Sequence, residues 1–271
     1  MSTVKVPGAT IYYEERGVGP ALVMIPGGPT DAGVFTGLAA ALADRYRTVS
    51  YDPRGNSRSV FDVEPVDQDM NVHADDAAHL IDALGSDPVF VLGSSGGAQI
   101  GLALVARHPD RVRALVAHEP PCVMMLPDRD AILRAFDEVN ACFQREGAQP
   151  AMDGFAKLAG FDRPPPAAAL PPEAMAPEIV ATFARIAGNL DYFLAHGVKQ
   201  IASYRPDVAA LRSSRVIVGV GRDSTGQLAN RSARALAAEL AIEPVVFPGD
   251  HTGFGPHAVA FADVLERVLA T

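Results

Sequence analysis

Apolar runs of strand length alternate with segments of helical periodicity through the first 120 residues. Residues 4–6, 10–15 and 21–25 are short apolar runs broken by Pro7-Gly8 and by Gly17-Val18-Gly19-Pro20. They read as three successive strands joined by tight turns, giving an antiparallel edge. The order then becomes helix (about 32–43), strand 48–51, helix (about 74–84), strand 89–92, helix (about 98–107) and strand 114–117. This alternation predicts an α/β fold, a mostly parallel sheet with helices on both faces.

The alternation stops at about residue 121. No strand pattern occurs between 121 and 205, where Pro164-Pro165-Pro166 and Pro171-Pro172 interrupt helical segments. Ile132, Phe136, Val139 and Phe143 recur at helical spacing near its start, as do Ile179, Phe183, Ile186, Leu190 and Phe193 near its end. We read an inserted helical cap over 121–205, dividing a core into 1–120 and 206–271. Strands resume at 216–220 and 244–247, with a helix over 231–240 between them.

Composition narrows the function. With 48% hydrophobic residues in 271, the chain can bury one large core, and no apolar run approaches the roughly 20 residues that cross a bilayer. The first residues lack the apolar stretch of a secretory signal, so a cytoplasmic location is expected, without membrane partners. A net charge of −9 with no Lys/Arg cluster opposes nucleic acid. Cys122 and Cys142 have neither disulfide nor zinc spacing, so neither a disulfide framework nor a zinc site is indicated; the chemistry read below calls for no metal or other cofactor. A monomer or homodimer is the base-rate expectation.

The chemistry concentrates after the strand at 89–92. Gly93-Ser94-Ser95-Gly96-Gly97 follows it and leads into a helix-forming run, the strand, turn and helix order that G-x-S-x-G requires. Glycines at 93 and 97 remove side chains that would collide across a sharp turn, so Ser95 projects its hydroxyl from the sheet. The helix N-terminus behind it favours a developing oxyanion. Ser94 lies one position early, where the turn aims it elsewhere.

These motifs resemble the α/β-hydrolase family, whose element order matches nearly the whole chain and implies an eight-stranded sheet. Met24-Ile25-Pro26-Gly27-Gly28-Pro29 is similar to the family's loop after the third strand, with Pro26 where histidine is usual. The resemblance implies an oxyanion hole from the backbone N–H groups of Gly28 and Gly96. Residues 52–59, Asp-Pro-Arg-Gly-Asn-Ser-Arg-Ser, resemble the family's D-x-R-G-x-G-x-S turn, with Ser57 in place of the second glycine. Its charged residues are expected to brace the oxyanion loop.

A serine hydroxyl needs a base, and the base needs a partner to fix its tautomer. Residues 247–254, Phe-Pro-Gly-Asp-His-Thr-Gly-Phe, resemble the family's late histidine loop, making His251 the base. His73, His79 and His108 lie in or beside helices, His118 and His196 are candidates to line the site, and His257 is a distant rival. The family's order of serine, acid and histidine points to Asp223, directly after the penultimate strand. Glu119, which ends the preceding strand, is second, and Asp250 is poorly placed beside the base.

The pattern implies a serine hydrolase acting on a small, largely apolar ester, lactone, thioester or amide. The cap is rich in apolar side chains, with Met124, Met125, Phe143 and Phe183 as expected substrate contacts among others that include Phe155, Phe161, Met175 and Phe193. Two alternatives keep the fold but change the outcome: a cofactor-free non-hydrolytic enzyme such as a haloperoxidase-like protein, lyase or carbon–carbon bond hydrolase, or a ligand-binding receptor with little turnover.

Overall fold

The computed structural model describes residues 2–85, 88–161 and 176–270. Pro164 to Pro166, Pro171, Pro172 and Met175 lie outside the described residues.

The sheet begins with β1 (Ser2–Val6), β2 (Ala9–Arg16) and β3 (Ala21–Ile25), then α1 (Thr36–Leu42) and β4 (Arg47–Tyr51). A two-residue strand β5 (Val60–Phe61), α2 (Met70–Ala83), β6 (Val89–Ser94), α3 (Gly96–Arg107) and β7 (Val112–His118) follow. Among the described residues the segment between β7 and the next strand is helical: α4 (Arg129–Glu146), α5 (Ala148–Ala159), α6 (Pro177–Gly188), α7 (Leu190–His196), α8 (Val198–Ser203) and α9 (Val208–Leu211). The chain closes with β8 (Val216–Gly221), α10 (Leu228–Leu240), β9 (Val245–Phe247) and α11 (Ala258–Ala270).

The strand order is β1-β2-β4-β3-β6-β7-β8-β9, with β5 added beside β2. β1, β2, β4 and β5 pair antiparallel where they meet β2, and all the pairs from β4·β3 to β8·β9 are parallel. The eight expected strands are present in their expected order. The ninth, β5, is too short to leave a periodic signal.

Two-residue periodicity sorts the central strands onto two cores. Val23 and Ile25 of β3, Val91 of β6 and Leu115 and Ala117 of β7 face the core shared with α2, α3, α10 and the inserted helices. Leu22, Met24, Phe90, Leu92, Ala114 and Val116 face the opposite core, built with α1 and α11 through Leu38, Leu42, Phe261 and Leu265. Both faces of the sheet are therefore covered, which is why these strands read as continuous apolar runs.

Two helices depart from their expected limits. α2 begins at Met70, earlier than the sequence suggested, because Asp69 caps it by accepting from Asn71 N at 2.8 Å. The periodic stripe from Ile179 to Phe193 spans two helices, broken at Asn189. There the side chain leaves the insert to accept from Ser57 N at 2.8 Å and donate to Pro29 O at 2.8 Å.

Candidate active site

Ser95 joins β6 to α3 at φ 56°, ψ −126°, a backbone region costing about 1–3 kcal/mol for a residue with a side chain. The surroundings hold it there. Ser95 N donates to His118 O at 2.9 Å at the end of neighbouring β7, and a Cβ on Gly93 would collide with Gly97 O. A Cβ on Gly97 would strike Ile25 O, so both glycines of the turn are required by close backbone approach.

The loop after β3 presses on this turn. A Cβ on Gly27 would come within 2.6 Å of Gly96 N and 2.8 Å of Ser95 Cβ, and one on Gly96 within 3.3 Å of Gly28 N. The Gly28 and Gly96 amides thus lie side by side next to Ser95. Neither donates to a partner among the described residues. Pro26 replaces the family's histidine without removing the loop's anchors: Thr30 Oγ1 donates to Gly27 O at 2.6 Å, and Asn56 Nδ2 to Gly28 O at 3.0 Å and Thr30 O at 2.9 Å.

The turn over 52–59 supports that loop from below. Buried Asp52 accepts from Ala32 N at 3.0 Å and pairs with Arg58 at 2.8 Å. Arg54 turns away from the site and grips buried Asp76 through Nε at 2.6 Å and Nη2 at 2.5 Å. Ser57 adopts φ 52°, the conformation for which the family's glycine is suited.

His251 lies in the loop after β9, buried, and its Nδ1 meets Glu119 Oε2 at 2.7 Å. Glu119 follows β7 at φ 48° and is fully buried. Its second oxygen accepts from Gly221 N at 2.8 Å, Asn230 Nδ2 at 3.0 Å and the Ser224 hydroxyl. Burial alone would raise its carboxyl, but the hydrogen bond and charge of His251, with help from Ser224, hold it down to about 2.

The structure corrects the expectation that Asp223 faces the histidine. Asp223 is exposed, and its backbone N–H donates to Gly249 O at 2.9 Å. At the end of β8 the inward direction is taken by Ser224, which reaches Glu119, so Asp223 one residue earlier points to solvent. Asp250 is also exposed, accepting from Thr252 N and Oγ1 at 2.8 Å.

A cavity of about 190 Å³ opens over Ser95 and His251. Phe136 of α4, Phe155 and Ala159 of α5, Phe161, Phe193 of α7 and Ile201 of α8 wall it, with Leu228 and Phe254 from the core. The expected contacts lie elsewhere. Met125 and Phe143 pack partly into the core, Met124 is half-buried in the short turn after Cys122, and none of the three lines the cavity. Phe183 is 57% exposed, because Thr182 and Arg185 occupy the inner face of α6 against Gly33 and Asp31. Helical spacing identified the apolar stripes but not which member of each reached the serine.

The other histidines separate by environment. His118 is buried against Phe247, Phe254 and Phe261 with its ring 6.4 Å from that of His251, and burial lowers it to about 4. It does not line the cavity. His196 pairs with Asp67 at 2.9 Å near the surface.

The α/β-hydrolase fold model matches residues 20–167, which carry the glycine loop after β3, the serine turn and Glu119. The chain belongs to the α/β-hydrolase fold family. The uncharacterized hydrolase YraK of Bacillus subtilis is 32% identical over 273 residues, covering 98% of this chain and 95% of the relative. The 2-(acetamidomethylene)succinate hydrolase of Mesorhizobium japonicum is 33% identical over 114 residues, 42% of this chain and 40% of that one. A hydrolase from Pseudomonas aeruginosa PA01 has the same fold, with a TM-score of 0.76, 22% identity, and coverage of 100% of this chain and 98% of its own. In this α/β hydrolase no described helix is long and apolar enough to cross a membrane.

Proposed function

We propose that the protein is a serine hydrolase in which Ser95 is the nucleophile, His251 the general base and Glu119 the acid. Its substrates are small, largely apolar esters, lactones, thioesters or amides. The observation that carries this reading is the 2.7 Å contact between His251 Nδ1 and buried Glu119, with His251 lining the same pocket as Ser95, a serine on a strained turn. A carboxylate at Nδ1 fixes the tautomer whose Nε2 accepts a proton.

In the mechanism, Ser95 Oγ attacks the carbonyl carbon while His251 Nε2 takes its proton, and Glu119 stabilises the imidazolium that forms. The Gly28 and Gly96 amides receive the negative oxygen, each contributing about 3 kcal/mol to lowering the barrier. His251 returns the proton to the leaving group, then activates water to release the acyl group. The inserted helices act as a cap that shapes the substrate pocket, since four of them contribute to its wall.

Intact-mass labelling with a fluorophosphonate, followed by peptide mapping, tests the reading without a known substrate. We expect one adduct, on Ser95, lost in Ser95→Ala and His251→Ala. A folded native protein that takes no label, or takes it at another serine, would contradict it.

A further inference from the structure

The cavity over Ser95 has an unusual inventory of polar groups. Among the described residues it is lined by no Lys, Arg, Asp or Glu. Thr30 Oγ1 is engaged by Gly27 O and Thr252 Oγ1 by Asp250 Oδ1, so neither hydroxyl proton is free for a ligand. The carbonyls of Pro121 and Ile201, two lining residues, both accept from buried Gln99. Among the described residues, the polar groups left for a ligand are Ser95, His251, the amides of Gly28 and Gly96, and the neighbouring Ser94 hydroxyl, none of them a fixed positive charge.

The apolar wall packs directly against that reacting cluster. Phe193 sits over the oxyanion loop, its ring 3.7 Å from where a Cβ on Gly28 would stand, and Ile201 Cδ1 would be 3.3 Å from a Cβ on Gly96. Phe155 meets Phe193 edge-on at 5.5 Å, Phe136 at 6.2 Å and Phe161 at 6.4 Å. Phe161 lies against the His251 ring at 4.9 Å. An acyl part whose carbonyl oxygen sits at the Gly28 and Gly96 amides meets Phe193 and Ile201 first, with Phe155 and Phe136 behind Phe193. An apolar cavity of about 150 Å³ accepts a benzene ring, so about 190 Å³ holds one ring with a short connector.

We propose that this site selects esters whose acyl part is uncharged, apolar and about the size of one aromatic ring or a six-carbon chain, and that it excludes acyl groups bearing a carboxylate. The proposal rests on the serine-hydrolase reading above. Among the described residues, a carboxylate at the end of the acyl chain would lose water and meet the Phe193, Phe155 and Phe136 rings with no cation in return. This separates the chain from its partial relative named for a succinate, a dicarboxylate. Phe155, which touches three of the other rings, sets the depth of the acyl site.

The test uses 4-nitrophenyl esters with one leaving group and matched acyl length: hexanoate and phenylacetate against the mono-ester of adipate. We expect kcat/KM for the two neutral esters to exceed that for the adipate ester by about a hundredfold or more. Phe155→Ala is expected to move the preferred acyl length upward by two or more carbons without admitting adipate. An adipate ester turned over as well as hexanoate, or better, overturns the proposal. Equilibrium binding of methyl hexanoate and of monomethyl adipate to the Ser95→Ala protein decides it independently of turnover. Preference for the neutral ligand supports the proposal and equal or reversed preference overturns it. No hydrolysis of any ester and no fluorophosphonate adduct would instead sink the hydrolase reading, leaving the binding comparison to judge the pocket.

Discussion

Glu119 divides its two oxygens between different duties. Oε2 faces His251, while Oε1 collects Gly221 N, Asn230 and the Ser224 hydroxyl, so the carboxylate cannot rotate without breaking several buried hydrogen bonds. We expect Ser224→Ala to lower kcat about tenfold and to cost about 1–3 kcal/mol of stability, since a buried charged acceptor loses a donor. Urea denaturation beside steady-state kinetics checks both numbers. In the loop after β3, Gly27→Ala places a methyl group within 2.6 Å of Gly96 N. The loop must then move, and kcat is expected to fall by 10²- to 10³-fold, roughly the effect of one lost oxyanion donor. An unchanged kcat would mean that the Gly28 amide is not used.

At the level of elements, the strands and the serine turn were legible because local chemistry dictates them. Continuous apolar runs mark strands covered on both faces, and Gly93 and Gly97 mark a backbone approach that excludes Cβ atoms. The carboxylate that meets His251 was harder to read, since Glu119 and Asp223 both follow the C-terminal ends of neighbouring parallel strands. The β7·β8 register, with His118 opposite Gly219, brings Glu119 and Ser224 to one point and leaves Asp223 outside it. The break at Asn189 was also invisible, because Ile179, Phe183, Ile186, Leu190 and Phe193 keep helical phase across it. Its cause is tertiary: Asn189 ties the insert to Pro29 and Ser57. We expect Asn189→Ala to speed hydrogen exchange in α6 and α7 while leaving the central strands protected. Equal exchange in the two proteins would show that this tie does not hold the insert.

For the whole molecule, pH couples to stability through two histidines buried without hydrogen-bond partners among the described residues. Burial lowers His73 to about 3 and His118 to about 4, from an ordinary value of 6.5. The unfolded chain binds protons on them below pH 6.5 while the folded chain does not, so stability falls as pH drops through that window. By a pH of about 4.5 the two together remove about 5 kcal/mol, against a typical total of about 5–15 kcal/mol. Glu119 acts in the same direction at lower pH, since its folded value near 2 makes its contribution vanish as the carboxylate protonates. We expect Tm to fall steeply below pH 6, and His118→Leu to flatten that fall. A Tm profile that stays level between pH 6 and pH 4 would contradict this assignment.

The proposed catalytic role of Glu119 is tested most directly by comparing kcat/KM for 4-nitrophenyl hexanoate in Glu119→Gln and Asp223→Asn. With the proposed triad, Glu119→Gln loses about 10⁴-fold, the scale expected when the histidine's orienting carboxylate is neutralised, and Asp223→Asn stays within about threefold of native. A large loss in Asp223→Asn, with Glu119→Gln folded and nearly as active as native, would contradict the Ser95–His251–Glu119 assignment.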